Sequence, residues 1–129
     1  MFEQLDFIYQ PSRDVAADLD YYTSALGASF VFAIERFGTR VDMVRMVPDS
    51  PGLLLAEHLA GDQSILIFRV ADLTAAERAI AEKGGRVGER FEFPYGVGVQ
   101  LPMPGPQRMA VYEQTQAARG HSIEGRRDF

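Results

Sequence analysis

Few side chains in this 129-residue sequence have the chemistry that catalysis or metal binding requires. Cysteine is absent, which excludes thiol catalysis, disulfides and thiolate metal ligands. Of the two histidines, His121 is close to the C-terminus and only His58 lies within the patterned part of the chain. A lone histidine at the end of a predicted strand is usually a hydrogen-bonded surface residue, and the alternative is a polar contact in a binding cleft.

The remaining polar side chains do not form a recognisable catalytic group. Glu57 and Glu113 lie between apolar residues of predicted strands, and strand alternation points both side chains outward into solvent. The serines lack a Gly-x-Ser-x-Gly elbow, and Gly96-Val97-Gly98 lacks the third glycine of a dinucleotide-binding loop. The sequence therefore assigns no catalytic residue.

Composition limits the partners and the compartment. With 13 Lys and Arg against 18 Asp and Glu, the net charge is −5 and the basic residues are scattered, so nucleic acid is not an expected partner. The chain has no apolar run of the roughly 18 to 20 residues that a membrane span needs, and its first residues do not resemble a signal peptide. We expect a soluble, cytoplasmic protein.

The elements that must position these residues follow one order twice. Hydrophobic periodicity predicts a strand, a helix of about 12 residues starting at Val15, and three further strands, the last over 53–59. A second strand, helix and three strands follow from residue 64, and the last strand covers 108–115. An offset of 58 residues places Asp14 on Asp72 and Gly27 on Gly85. The sequence predicts an α+β fold of two βαβββ modules in tandem.

These modules are expected to form one domain over residues 1–115, with modules at about 4–59 and 63–115. Residues 116–129 are polar and aperiodic, which predicts a C-terminal tail. Within it, Ile123-Glu124-Gly125-Arg126 resembles the site of a coagulation protease used to remove expression tags. That stretch is either partly vector-derived or natural.

Several short motifs, in this order and spacing, resemble the vicinal oxygen chelate superfamily, which includes glyoxalase I, bleomycin-resistance proteins, fosfomycin-resistance enzymes and extradiol dioxygenases. The resemblance implies that each module curls a mixed β-sheet around a cleft, often completed by a second chain, and we therefore expect a homodimer. The motifs that carry it are Ser12-Arg13-Asp14-Val15, Asp20-Tyr21-Tyr22-Thr23-Ser24-Ala25-Leu26-Gly27, Phe68-Arg69-Val70-Ala71-Asp72-Leu73, Gly84-Gly85, Pro94-Tyr95-Gly96 and Val111-Tyr112-Glu113.

Metal-dependent members of this superfamily place His or Glu on the first and last strand of each module. Carried onto this sequence, those positions fall on Phe7, Leu54, Ile65 and Ala110. None of these side chains has an atom that coordinates a divalent metal. We therefore expect neither a metal nor another cofactor.

The same resemblance implies that the strand faces carrying these positions line a binding cup. Apolar residues at the former ligand positions favour an apolar or aromatic guest. Tyr9, Tyr112 and His58 would supply polar contacts, with Tyr95 and Arg69 at the rim. The expected ligand-binding residues are Phe7, Tyr9, Leu54, His58, Ile65, Ile67, Tyr95, Ala110 and Tyr112.

Two functions remain open from the sequence. The first is a metal-free small-molecule-binding protein of the glyoxalase/bleomycin-resistance type. The alternative is an enzyme of the same superfamily, a lyase, isomerase or dioxygenase, with an unrecognised metal site or an acid–base site at His58, a tyrosine or a carboxylate.

Overall fold

The computed structural model describes residues 1–36, 38–115 and 123–129 and confirms the α+β fold of two βαβββ modules. Module 1 consists of residues 7–64 and 123–129, and module 2 of residues 1–6 and 65–115. Among the described residues, no helix has the length and apolar character needed to cross a bilayer. The elements are β1 (Gln4–Pro11), α1 (Val15–Asp20), β2 (Ser29–Arg36), β3 (Thr39–Arg45), β4 (Gly52–Ala56), β5 (Ile65–Arg69), α2 (Leu73–Glu82), β6 (Arg90–Phe93), β7 (Gly96–Leu101) and β8 (Arg108–Gln114).

In module 1 the strands lie in the order β2-β3-β4-β1, with β1 parallel to β4 and the other neighbours antiparallel. Val15 and Leu19 of α1 pack on one face of this sheet, against Val44 and Leu55. The opposite face carries the residues that the sequence assigns to ligand binding.

The first helix differs from the single helix that its periodicity predicts. The α-helix stops at Asp20 and continues as a π-helical turn, Tyr21–Ala25, in which the Leu26 N–H donates to the Tyr21 carbonyl. Thr23 Oγ1 donates to the Leu19 carbonyl at 2.9 Å and thereby competes for a helix acceptor. The amphipathic pattern predicts the buried face but not this change of winding.

In module 2 the order is β5-β8-β7-β6, and β5 is parallel to β8. Leu73 and Ala76 of α2 pack on one face, against Val99 and Val111. The duplication extends to the helix caps. Asp72 accepts a hydrogen bond from the Ala75 N–H at 2.9 Å, as Asp14 does from the Ala17 N–H at 3.0 Å in module 1.

The two glutamates expected to be solvated have a further contact in each module. Glu57 accepts the Val15 N–H at 3.2 Å, and Glu113 accepts the Leu73 N–H at 2.8 Å. Both carboxylates are exposed, as predicted, but each also satisfies a donor at the start of its module's helix. Alternation along one strand does not predict a bond to a helix elsewhere in the sequence.

The C-terminal residues also differ from the expected tail. Residues 116–122 lie outside the described part of the chain. The C-terminal segment, Ile123–Phe129, runs along β2, with Ile123 6% exposed and the Gly125 N–H donating to the Val31 carbonyl at 2.6 Å. Most of these contacts use backbone groups, which do not depend on side-chain type. The polar composition of the segment therefore does not predict them.

Candidate functional site

Four of the nine predicted ligand-binding residues belong to module 1, and three of these four lie on the sheet face opposite α1. The register places Phe32, Met43, Leu54 and Tyr9 in one row across the four strands, and Phe7 lies beside Tyr9 on the same face of β1. These side chains are almost completely buried. Their burial shows a closed, packed face.

His58, the fourth of these residues, lies beyond the end of β4, which stops at Ala56 instead of continuing to residue 59. Its side chain is exposed, its Nδ1 lies 3.3 Å from Thr39 Oγ1, and its ring meets the Tyr9 ring edge-on at 6.1 Å. Burial raises the pKa of Tyr9 to about 12. His58 therefore lies at the edge of this face.

In module 2, the sheet face opposite α2 carries Ile65, Ile67, Ala110 and Tyr112. The register pairs Ile67 with Ala110 across β5 and β8. All four side chains are buried, and Ala110 and Tyr112 have no exposed surface. The alternation that the sequence predicts for these two strands is therefore present.

An aromatic cluster, Phe91, Phe93, Tyr95 and Tyr112, covers this part of module 2. Phe93 meets Tyr112 edge-on at 5.1 Å and lies 5.8 Å from Phe91 and 6.4 Å from Tyr95. Gly98 makes room for the Phe91 ring, because a Cβ at this position would lie 2.5 Å from Cζ of that ring. Tyr95 is only 2% exposed, so it is part of the cluster and not at a rim.

The sequence did not identify Phe91 and Phe93 as candidates. The period-two pattern of β6, with an aromatic residue at every second position, is the signal that places both rings on one face.

Tyr112 also belongs to a polar network with Asp6 and Arg69. Its hydroxyl donates to Asp6 Oδ2 at 2.5 Å, and this oxygen lies 3.5 Å from Arg69 Nη1. Burial and then the adjacent Asp6 carboxylate raise the pKa of Tyr112, which keeps its hydroxyl protonated as a donor. Asp6 is 106 residues from Tyr112, so no local pattern predicts this contact.

The positions that hold metal ligands in the resembling superfamily do not fit a metal here. Phe7, Leu54, Ile65 and Ala110 are buried and have no donor atom in their side chains. Across residues 1–36, 38–115 and 123–129, no group of three or more His, Asp or Glu side chains is arranged to hold a metal ion.

A separate groove of about 530 Å³ lies on the α2 side of module 2. The end of α2, the loop after β7 and the start of the chain form its walls. It is open and mainly apolar, as grooves that bind apolar molecules are. Its lining includes Phe2, Ile80, Arg86, Leu101, Met103 and Met109.

The fold is similar to those of several solved structures. Methylmalonyl-CoA epimerase from Mycobacterium tuberculosis has a TM-score of 0.75 at 17% identity, covering 92% of this chain and 93% of that one. A hypothetical protein from Bacillus halodurans has a TM-score of 0.74 at 13% identity, covering 88% and 95%. Streptomyces coelicolor methylmalonyl-CoA epimerase in complex with 2-nitronate-propionyl-CoA has a TM-score of 0.72 at 18% identity, covering 97% and 99%.

No protein-family model matches the chain, and no curated protein matches its sequence. The structural likeness shows that this chain has the fold of the methylmalonyl-CoA epimerase structures. At these identities it does not assign a substrate or a reaction.

Proposed function

We propose that this chain is a metal-free small-molecule-binding protein whose ligand has an apolar or aromatic body. The observation that carries this proposal is the face of module 2 opposite α2, where the aromatic cluster adjoins the Tyr112–Asp6–Arg69 network. Aromatic rings with a few oriented polar groups are typical of small-molecule sites. The apolar residues at the former metal positions also support a site without a metal.

The polar network would orient the ligand. The protonated Tyr112 hydroxyl and the Arg69 guanidinium both contact the Asp6 carboxylate, so an acidic or carbonyl group of a ligand would compete with Asp6 for these donors. Ala110 and Tyr112 have no exposed surface, so a ligand reaches this face only when the side chains that cover it move. Binding therefore includes an opening step.

A fluorescence titration with anilinonaphthalene sulfonate, an aromatic anion, tests this proposal. We expect saturable binding by the wild-type protein and at least tenfold weaker binding by Tyr112→Leu, which removes both the ring and the hydroxyl. Leu66→Ala, on the opposite face of β5 and 36% exposed, is the matched control and should bind as the wild type does. Equal binding by both variants would contradict this location, and no binding by the wild type would contradict the proposal.

A second function, an enzyme acting on a CoA thioester, is favoured by the similar structures. The similar epimerase structures include complexes with 2-nitronate-propionyl-CoA and with methylmalonyl-CoA. Proton NMR in deuterated water, with methylmalonyl-CoA and with or without an added divalent metal, separates the two functions. Loss of the α-proton signal, dependent on the protein, would establish turnover and overturn the proposal of binding alone.

We also propose a homodimer. Small domains of this fold present sheet edges and apolar surface that a second copy covers.

A further inference from the structure

The C-terminal segment contains a sequence that an arginine-specific protease recognises, and the fold holds this sequence in a closed form. Ile123-Glu124-Gly125-Arg126 is the stretch that resembles the site of a coagulation protease. Serine proteases bind the residues before the cleaved bond as an extended strand that pairs with the enzyme. Here the Arg126 N–H instead donates to the Ile123 carbonyl at 3.0 Å, and Gly125 has a φ of +83°. The recognition sequence is therefore a turn and not an extended strand.

Backbone and side-chain groups that a protease must contact are already engaged within module 1. Ile123, the first residue of the recognition sequence, is buried, and the Gly125 N–H donates to the Val31 carbonyl. The Arg126 carbonyl, which a serine protease must place in its oxyanion hole, accepts the Ala33 N–H at 2.9 Å. Cleavage after Arg126 therefore requires that the segment first leave β2.

The Arg126 side chain, which would enter the specificity pocket of the protease, is held as well. Its guanidinium makes two hydrogen bonds to the Asp128 carboxylate, each at 2.9 Å. Asp128 Oδ2 also accepts the Glu35 N–H at 2.9 Å. Asp128 thus connects Arg126 to β2, although it lies outside the recognition sequence.

The residues after Arg126 anchor the end of the segment. The Arg127 guanidinium lies 4.0 Å from the centre of the Phe30 ring, and the Arg40 guanidinium lies 4.2 Å from the centre of the Phe129 ring. A cut between Arg126 and Arg127 separates both contacts from the rest of the chain. The segment that remains would then be held on β2 by fewer contacts.

We propose that the Arg126–Arg127 peptide bond is a latent cleavage site for arginine-specific serine proteases, which opens only when the C-terminal segment leaves β2. Hydrolysis adds one water across this bond and leaves a carboxylate on Arg126 and an ammonium group on Arg127, without any redox change. The products are the chain ending at Arg126 and a free tripeptide. Because the tripeptide is no longer tethered, it dissociates, and the release of the segment becomes irreversible.

Cleavage kinetics with the coagulation protease test this proposal. We measure kcat/KM for the intact protein and for a synthetic Ile123–Phe129 peptide, and mass spectrometry identifies the cleaved bond. Because only the open form is cleaved, the intact protein should react at least about twentyfold more slowly than the peptide. A rate within about a factor of two of the peptide rate would overturn the proposal.

Two variants separate release of the segment from general unfolding. Asp128→Ala removes the connection between Arg126 and β2 and leaves the recognition sequence intact. We expect it to accelerate cleavage of the protein about fivefold or more, whereas the same change in the peptide should alter the rate by less than about twofold. Glu113→Ala, which removes a contact at the start of α2, is the control for general destabilisation and should leave the rate unchanged.

Either of two results with these variants would overturn the proposal. Equal acceleration by Asp128→Ala and Glu113→Ala would show that cleavage follows unfolding of the chain and not release of the segment. No acceleration by Asp128→Ala would show that docking on β2 does not protect the bond. Dye binding by module 2 is measured separately, so failure of the proposed function is distinguishable from failure of this proposal.

Discussion

At the residue scale, the sequence predicts which side chains share a face but not the partners that give them chemistry. Strand alternation places Ala110 and Tyr112 together, as the structure shows. The contact between Tyr112 and Asp6 arises from pairing of distant strands, which no window of sequence contains. The sequence places His58 within a strand, but β4 ends at Ala56. This earlier end leaves His58 at the edge of the sheet face.

Removing the Tyr112 hydroxyl tests the polar network. We expect Tyr112→Phe to lower the free energy of unfolding by about 1–3 kcal/mol, because the Asp6 carboxylate loses a charge-assisted donor. Tyr22→Phe, whose hydroxyl donates to the neutral Gln10 side chain, is the control and should cost less. Urea unfolding at neutral pH measures both. An equal loss in the two variants would show that the charge of Asp6 adds no stability beyond that of a neutral hydrogen bond.

The buried Tyr9 hydroxyl predicts a specific loss of stability in alkali. Its pKa is raised from 10.0 to about 12, so the unfolded chain releases this proton at lower pH than the folded chain. Below pH 10 the free energy of unfolding is unaffected by this proton. It falls as the pH rises further, and the loss reaches about 2 kcal/mol near pH 12. Guanidinium unfolding at pH 9 and 11.5 should therefore show a smaller decrease for Tyr9→Phe than for the wild type. An unchanged decrease would contradict the shift.

At the element scale, Glu57 and Glu113 make equivalent hydrogen bonds to the helix starts of the two modules and stabilise these helices. We expect Glu113→Ala to lower stability by about 1 kcal/mol, because Leu73 N–H loses its acceptor at the start of α2. Glu57→Ala should cost less, since its bond to Val15 is longer and α1 is short. Thermal unfolding compares both with Glu82→Ala, an exposed substitution on α2. A cost no larger than that control would show that the bond is not stabilising.

The C-terminal segment gives a second prediction at this scale. Deleting Ile123–Phe129 should lower the free energy of unfolding by about 2–4 kcal/mol, because it exposes the surface that Ile123 covers and leaves backbone groups of β2 without their partners. Denaturant unfolding of the shortened chain measures the loss. A change below about 0.5 kcal/mol, the range of ordinary surface substitutions, would show that the segment behaves as the tail that composition predicts.

At the scale of the whole molecule, the element order, the duplication and the fold follow from the sequence. Periodicity and turn residues record which face of each element is apolar, and repeated helix caps record the duplication. The sequence does not distinguish a face that lines an open cavity from one that is packed, because both require apolar residues at alternate positions. Phe7, Ile65 and Ala110 fit either arrangement, and in the structure they are buried.

The central claim is that the face of module 2 carrying Ala110 binds an apolar or aromatic molecule. The most direct measurement is a titration of anilinonaphthalene sulfonate into the wild type, Ala110→Phe and Met103→Glu, with denaturant unfolding of all three. Ala110→Phe fills the sheet face, whereas Met103→Glu places a charge in the separate groove that Met103 lines. Ala110→Val, a smaller insertion, covers the case in which the larger one fails to fold.

The proposal predicts that Ala110→Phe weakens binding at least tenfold and that Met103→Glu leaves it within a factor of two. The loss of binding free energy should exceed the loss in the free energy of unfolding, because the added ring occupies the space of the ligand. Loss of binding in Met103→Glu alone would show that the dye binds in the groove and not on the sheet face. If Ala110→Phe loses the roughly 1–3 kcal/mol typical of an overpacked core while neither it nor the wild type binds the dye, this face is core alone and the claim is contradicted.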